Sequence, residues 1–307
     1  MLKRKLLTTA LFVNGLLVIL VAVHAMDMQP MTDFTQKPVN DSAIQWLSLD
    51  EDLLQFNGLT GDIADDAPRI GLRKEALKFA NSYIEKNAEL LEKIRTKSPR
   101  YFQIMDTVFT KYNLPTELKH LAIVESELNP KARSRVGALG PWQLMPTTAR
   151  ILNLKVNARY DERTHFYKST VAAAKYLRDL YKIFDDWLLV IAAYNSGPGP
   201  VLKAIKKSGS RNFWKLQYYL PAETRGHVKK YISTHYFYEG NGGVTTLTKY
   251  ETDMQRKTML AFAEKHNKLL RDKQQVLQNE KPTDNSTAGD DKVIASAQPI
   301  VAIKPEE

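Results

Sequence analysis

Glu125 has a setting that suits acid–base chemistry. Leu118, Leu121, Ala122 and Glu125 fall at positions i, i+3, i+4 and i+7, a spacing that lines one face of a helix. A carboxyl group is thereby set into an apolar stripe, just before the helix-stopping pair Asn129-Pro130. Removal from water and the negative end of a helix both favour the neutral acid over the carboxylate. A glutamate that holds its proton is what a general acid acting on a glycosidic oxygen requires. Glu127 is rotated well away from this face, so the two carboxyl groups are not equivalent. The plainer reading of the pattern is a glutamate at the edge of a stripe with its head in water, and periodicity alone does not separate the two.

The elements that must position this group are helical. Leu77, Ala80, Ile84, Ala88 and Leu91 mark one amphipathic helix, and Phe102, Met105, Phe109 and Tyr112 a second, opened by Ser98-Pro99 as N-cap and first helical residue. After the helix that carries Glu125, Gly137, Gly140, Pro141 and Pro146 leave room only for a loop or short hairpin. Further helices are expected at Ala173–Phe184, Trp187–Asn195, Val201–Lys207 and Glu223–Tyr238, and a surface helix runs on to about Asn279. The fold class is mainly α. The chain divides into an export signal or membrane anchor at 1–25, a linker at 26–70, a helical extension at 71–97, a catalytic core at 98–240, and a helical segment with a disordered tail at 241–307.

The N-terminal assignment rests on Lys3, Arg4 and Lys5 before the apolar run Leu6–Ala25, which ends in Val23-His24-Ala25. Cleavage after Ala25 is the reading preferred over an uncleaved anchor. Loss of those three cations lowers the net charge from +10 to +7, which still favours an anionic polymer or surface as partner. Nucleic acid fits export poorly. The chain has no cysteine, so disulfides, thiolate metal sites and cysteine nucleophiles are excluded. Its six histidines lack the spacing of a helical metal site, and Gly197-Pro198-Gly199-Pro200 lacks the ending of a phosphate loop. No metal or cofactor is expected.

Three segments, Glu125-Ser126, Gly137-Ala138-Leu139-Gly140-Pro141-Trp142-Gln143-Leu144-Met145-Pro146 and Ala193-Tyr194-Asn195-Ser196-Gly197, resemble in order and spacing the signature segments of the lytic transglycosylase family. The catalytic domain of that family is similar to goose-type lysozyme. The resemblance covers roughly Pro99 to Gly240, with a looser likeness from Leu72. It implies Glu125 as the catalytic acid/base and Ser126 as its assistant. It implies Gln143 and Met145 as lining of a saccharide groove, and Tyr194 and Asn195 as groups facing Glu125. One departure stands out. Glu223-Thr224-Arg225-Gly226-His227-Val228 resembles a family segment that usually carries tyrosine where His227 stands, and Tyr231, one turn on, is the expected substitute.

Standard glycosidases use two carboxyl groups, and here only Glu125 is credibly set, because Asp161, Glu162, Asp185 and Asp186 sit in patches that look solvated. The resemblance implies cleavage of peptidoglycan glycan strands without water, giving a 1,6-anhydro-muramyl end. The alternatives are a lysozyme-like hydrolase with a second acid such as Asp161, and a wall-binding module without catalysis.

Overall fold

The computed structural model describes residues 68–279. The expected export segment, almost all of the linker and the tail, with its apolar stretch 293–303, lie outside the described residues. The helices in chain order are α1 (Lys74–Lys97), α2 (Pro99–Lys111), α3 (His120–Ser126), α4 (Pro146–Ile151), α5 (Phe166–Phe184), α6 (Trp187–Ser196), α7 (Pro198–Ser208), α8 (Phe213–Leu216), α9 (Ala222–Glu239) and α10 (Lys249–Asn279). Among the described residues, pairing outside helices is limited to isolated bridges, Arg133 with Leu139, Leu139 with Leu144, and Val156 with Asp161. The fold is mainly α, as the periodicity requires. No described helix is long and apolar enough to cross a membrane.

The centre of the molecule is α6. Its residues Trp187 to Ala193 are apolar all round and buried on every face, which is the pattern of a helix enclosed by others. It packs against α5, α7 and α9. Only its last turn, Tyr194-Asn195-Ser196, is polar, and there the helix reaches the surface. A core helix thus delivers three polar side chains to one place.

Around it, α9 leans on α3 and α6 on one side and along α1 on the other. The α1 contact is fixed by Lys229 Nζ to Glu75 Oε1 at 2.8 Å, by the Tyr238 hydroxyl donating to the Leu91 carbonyl at 2.7 Å, and by the buried side chains of Leu91 and Ile94. The helix read as an extension is therefore docked along the core. Ser98 marks the joint between α1 and α2 and Pro99 opens α2, but the serine hydroxyl makes no capping bond.

The Glu125 helix begins as a 3-10 turn at Thr116–Lys119 and becomes α-helical only from His120. It stops at Ser126, three residues before the expected Asn129-Pro130 signal. Glu127 and Leu128 both take the left-handed region, with φ of 57° and 61°, a conformation that costs about 1–2 kcal/mol per non-glycine residue. Leu128 is fully buried, and interring a leucine contributes roughly 1.5–3 kcal/mol, which offsets most of the cost of the two left-handed residues. Glu127 is left in solvent.

Candidate active site

Glu125 occupies the last turn of α3 with its side chain 13% exposed. Leu118, Leu121 and Ala122 on the same face are fully buried, so the stripe is real and the glutamate sits at its open end. Oε1 of Glu125 lies 2.9 Å from Nε2 of His227 on α9, whose side chain is 9% exposed. The other carboxyl oxygen has no hydrogen-bond partner among the described residues. Tyr194, at the end of α6, lies close enough for the Glu125 charge to act on it. Burial first, and that charge second, push its hydroxyl well above the ordinary tyrosine range. Three helices, α3, α6 and α9, thus converge on one carboxyl group.

Tyr231 is not among these groups. It is fully buried, and its hydroxyl donates to Thr245 Oγ1 at 2.8 Å, with the Glu117 carbonyl at 3.3 Å. The expectation that it substitutes for the missing family tyrosine is corrected. One turn of α9 separates it from the site, and the residue that meets Glu125 is His227 itself.

The remaining motif residues turn mostly towards the loop 137–144. Ser126 Oγ donates to the Pro141 carbonyl at 2.8 Å. The Tyr194 hydroxyl donates to the Trp142 carbonyl at 2.8 Å. Gln143, itself at φ 46°, gives its amide hydrogens to the carbonyls of Ala132 and Gly140 at 3.0 and 2.8 Å. Trp142 is fully buried against Phe109, and its indole N–H donates to Thr170. It is therefore packing, unlike Met145, which is 40% exposed at the loop's end. Asn195 has its Oδ1 occupied by the hydroxyl of buried Thr224 at 2.9 Å, and its amide N–H groups have no acceptor among the described residues.

Arg163 completes the loop's support and was not foreseen. One terminal nitrogen donates to the carbonyls of Gly137 and Leu144 at 2.8 and 2.9 Å. The other, with Nε, grips Asp161 at 2.7 and 2.9 Å. That grip holds the Asp161 carboxyl below its ordinary range. Gly140, at φ 86°, lies so close to the Arg163 carbonyl that a Cβ would overlap it. Such close backbone approach is a role for glycine alone.

The acidic residues read as solvated are partly interior. Glu162 is buried, accepting the Lys155 N–H at 2.7 Å and pairing with Lys168. Asp186 is buried as the N-cap of α6, accepting from Leu189, and also accepts the Lys249 N–H at 2.7 Å. Its burial pushes the carboxyl up to about 6. Among the described residues no group of three or more metal-ligating side chains is present.

Residues 107–217 match the family described as Transglycosylase SLT domain. Membrane-bound lytic murein transglycosylase D of Escherichia coli K12 is 40% identical over 153 residues, 48% of this chain and 33% of that protein. Soluble lytic murein transglycosylase of Salmonella typhimurium is 27% identical over 162 residues, 49% of this chain and 25% of that one. The chain thus spans a third or less of the length of these relatives. The 70 kDa soluble lytic transglycosylase of Escherichia coli superposes with a TM-score of 0.44 at 19% identity, over 76% of this chain and 42% of that one.

Proposed function

We propose, for a chain whose residues 107–217 match the Transglycosylase SLT domain, that it cleaves the β-1,4 bond between N-acetylmuramic acid and N-acetylglucosamine in peptidoglycan without consuming water. Glu125 gives its proton to the glycosidic oxygen as the C1–O bond breaks, and the neighbouring acetamido group stabilises the oxocarbenium-like centre. The glutamate, now a carboxylate, takes the proton of the sugar's own C6 hydroxyl while O6 closes on C1. The product is a 1,6-anhydro end, and Glu125 leaves the cycle protonated as it entered. Intramolecular attack has the advantage of proximity over a free water.

The observation that carries this reading is the open oxygen of a largely buried Glu125, combined with the engagement of Asp161, Glu162 and Asp186 by other groups. Asp161, which a hydrolytic route would draw on as a second acid, accepts a bidentate grip from Arg163. Met145 and the unpaired amide N–H groups of Asn195 are assigned to the saccharide groove. Ser126, Gln143 and Tyr194 are assigned to shaping it through the loop 137–144. The cell envelope is the compartment that this substrate requires.

The test is mass analysis of muropeptides released from sacculi. Wild type is expected to yield anhydro ends, and Glu125→Gln is expected to lose at least about a thousandfold in rate. Products heavier by one water would replace the transglycosylase reading by hydrolysis, and wild-type release by the glutamine variant would remove Glu125 from the chemistry.

A further inference from the structure

The side chain that hydrogen-bonds the acid/base is a histidine, and its surroundings specify how it works. His227 Nε2 meets Glu125 Oε1 at 2.9 Å with both side chains largely shielded from water. The opposite ring nitrogen, Nδ1, is buried and has no hydrogen-bond partner among the described residues. The two hydroxyls that flank Glu125 are engaged elsewhere, Tyr194 with the Trp142 carbonyl and Ser126 with the Pro141 carbonyl.

A neutral imidazole carries its hydrogen on one nitrogen and accepts on the other, whereas imidazolium donates from both. A hydrogen on Nδ1 would be a buried N–H without an acceptor, which folded proteins tolerate less well than an unpaired acceptor. That disfavours imidazolium and the Nδ1–H tautomer on the same ground and favours the Nε2–H form.

We propose that His227 is a positioning residue for Glu125: as a neutral imidazole it donates Nε2–H to Oε1 and so assigns the reacting proton to Oε2. The inference rests on Glu125 being the acid/base. Oε1 accepts this bond whether the glutamate is neutral or charged, because the carbonyl oxygen of an acid and either oxygen of a carboxylate are acceptors. The bond therefore persists through both halves of the cycle. A proton on Oε1 would point at the imidazole N–H, donor against donor, so Oε2 alone gives and regains the proton. A phenol supplies the same single donor, and tyrosine at this position is thereby made equivalent in function despite its different shape.

The test has two arms, both on the full chain. In the first, 15N-histidine NMR at the pH of activity, with the His227 signals assigned by their loss in His227→Phe, is expected to report the neutral Nε2–H tautomer. An Nδ1–H tautomer or an imidazolium there overturns the proposal, and this readout needs no turnover. In the second, rates are measured on soluble glycan strands alongside Tm. His227→Phe is expected to lose about 30-fold or more in kcat with KM within about threefold, and His227→Tyr to return to within about tenfold of wild type. Full activity in the phenylalanine variant overturns the proposal, as does a tyrosine variant that folds but is no better than phenylalanine. The Glu125→Gln result separates the two levels. A dead glutamine variant beside a fully active phenylalanine variant removes the role of His227 alone, whereas an active glutamine variant removes the reading on which it rests.

Discussion

Thr224 holds Asn195 by one hydroxyl, donated from α9 to the amide oxygen at the end of α6. An asparagine side chain can present either its oxygen or its N–H groups to a ligand, and this bond decides in favour of the N–H groups. Thr224→Val keeps the shape and removes the donor, so the amide is free to turn. The expected outcome is a rise in KM for glycan strands of about five- to tenfold with kcat changed less than about threefold, at a stability cost of about 1 kcal/mol. An unchanged KM would take Asn195 out of the saccharide contacts. The motif alone marked Asn195 but not Thr224, because a threonine 29 positions away carries no local signal of what it will touch. The same holds for Ser126, Gln143 and Tyr194. A loop whose carbonyls have few ladder partners must find donors elsewhere, and that requirement is written in the loop's shape.

At the scale of elements, the loop 137–144 and the helices that hold it behave as one part. Gly137 and Gly140 have nearly the same left-handed backbone, φ 93° and 86°, yet only Gly140 abuts the Arg163 carbonyl. Replacing each by alanine separates conformational strain from close approach. Gly137→Ala is expected to cost about 1–2 kcal/mol with little effect on turnover. Gly140→Ala must also displace the Arg163 backbone, so it is expected to cost about 2 kcal/mol more and to lower kcat at least about tenfold. Equal Tm and equal rates in the two variants would show that the Arg163 contact does not set the loop. Helical periodicity identified the carriers α2, α3, α5 and α6 because each has an apolar stripe or core. It gave less for α9, whose buried residues include Thr224, His227, Ser233, Thr234 and His235. The inward side of that helix is defined by polar partners, so no alternation of apolar and polar residues reveals it.

At the scale of the whole molecule, buried titratable groups couple folding to pH. Burial holds His235 down at about 3 and His120 well below its ordinary value. The Glu239 carboxylate lies 3.3 Å from His120, but it is nearly half exposed, and desolvation of the ring prevails. Both histidines fold neutral and gain protons on unfolding. Their contribution is therefore complete above the unfolded value near 6.5 and is lost as pH falls below it, at about 1.4 kcal/mol per unit for each. Asp186 acts in the opposite direction. Its folded value of about 6 exceeds the ordinary aspartate value of 3.8, so this group favours folding more as pH falls through that range and offsets one histidine. The net expectation is a fall in stability between about pH 6 and 4, read by Tm or chemical denaturation, with a slope reduced by about 1.4 kcal/mol per unit in His235→Phe. A pH-independent midpoint in that window would contradict the buried neutral histidines. The sequence carried the mainly α class and the stripe bearing Glu125, since these follow from local spacing. Pairings such as Glu125 with His227, 102 positions apart, arise only when helices pack.

The docking of α1 along α9 therefore matters for where a minimal unit can be cut. The matched stretch ends at residue 217, whereas the histidine that meets Glu125 is at 227, on a helix braced by Leu91 and Glu75 from ahead of that stretch. A fragment or chimera trimmed to residues 107–217 would keep Glu125 and discard both His227 and the α1 strut that braces its helix. Segments transplanted between relatives should exchange α1 and α9 as a pair.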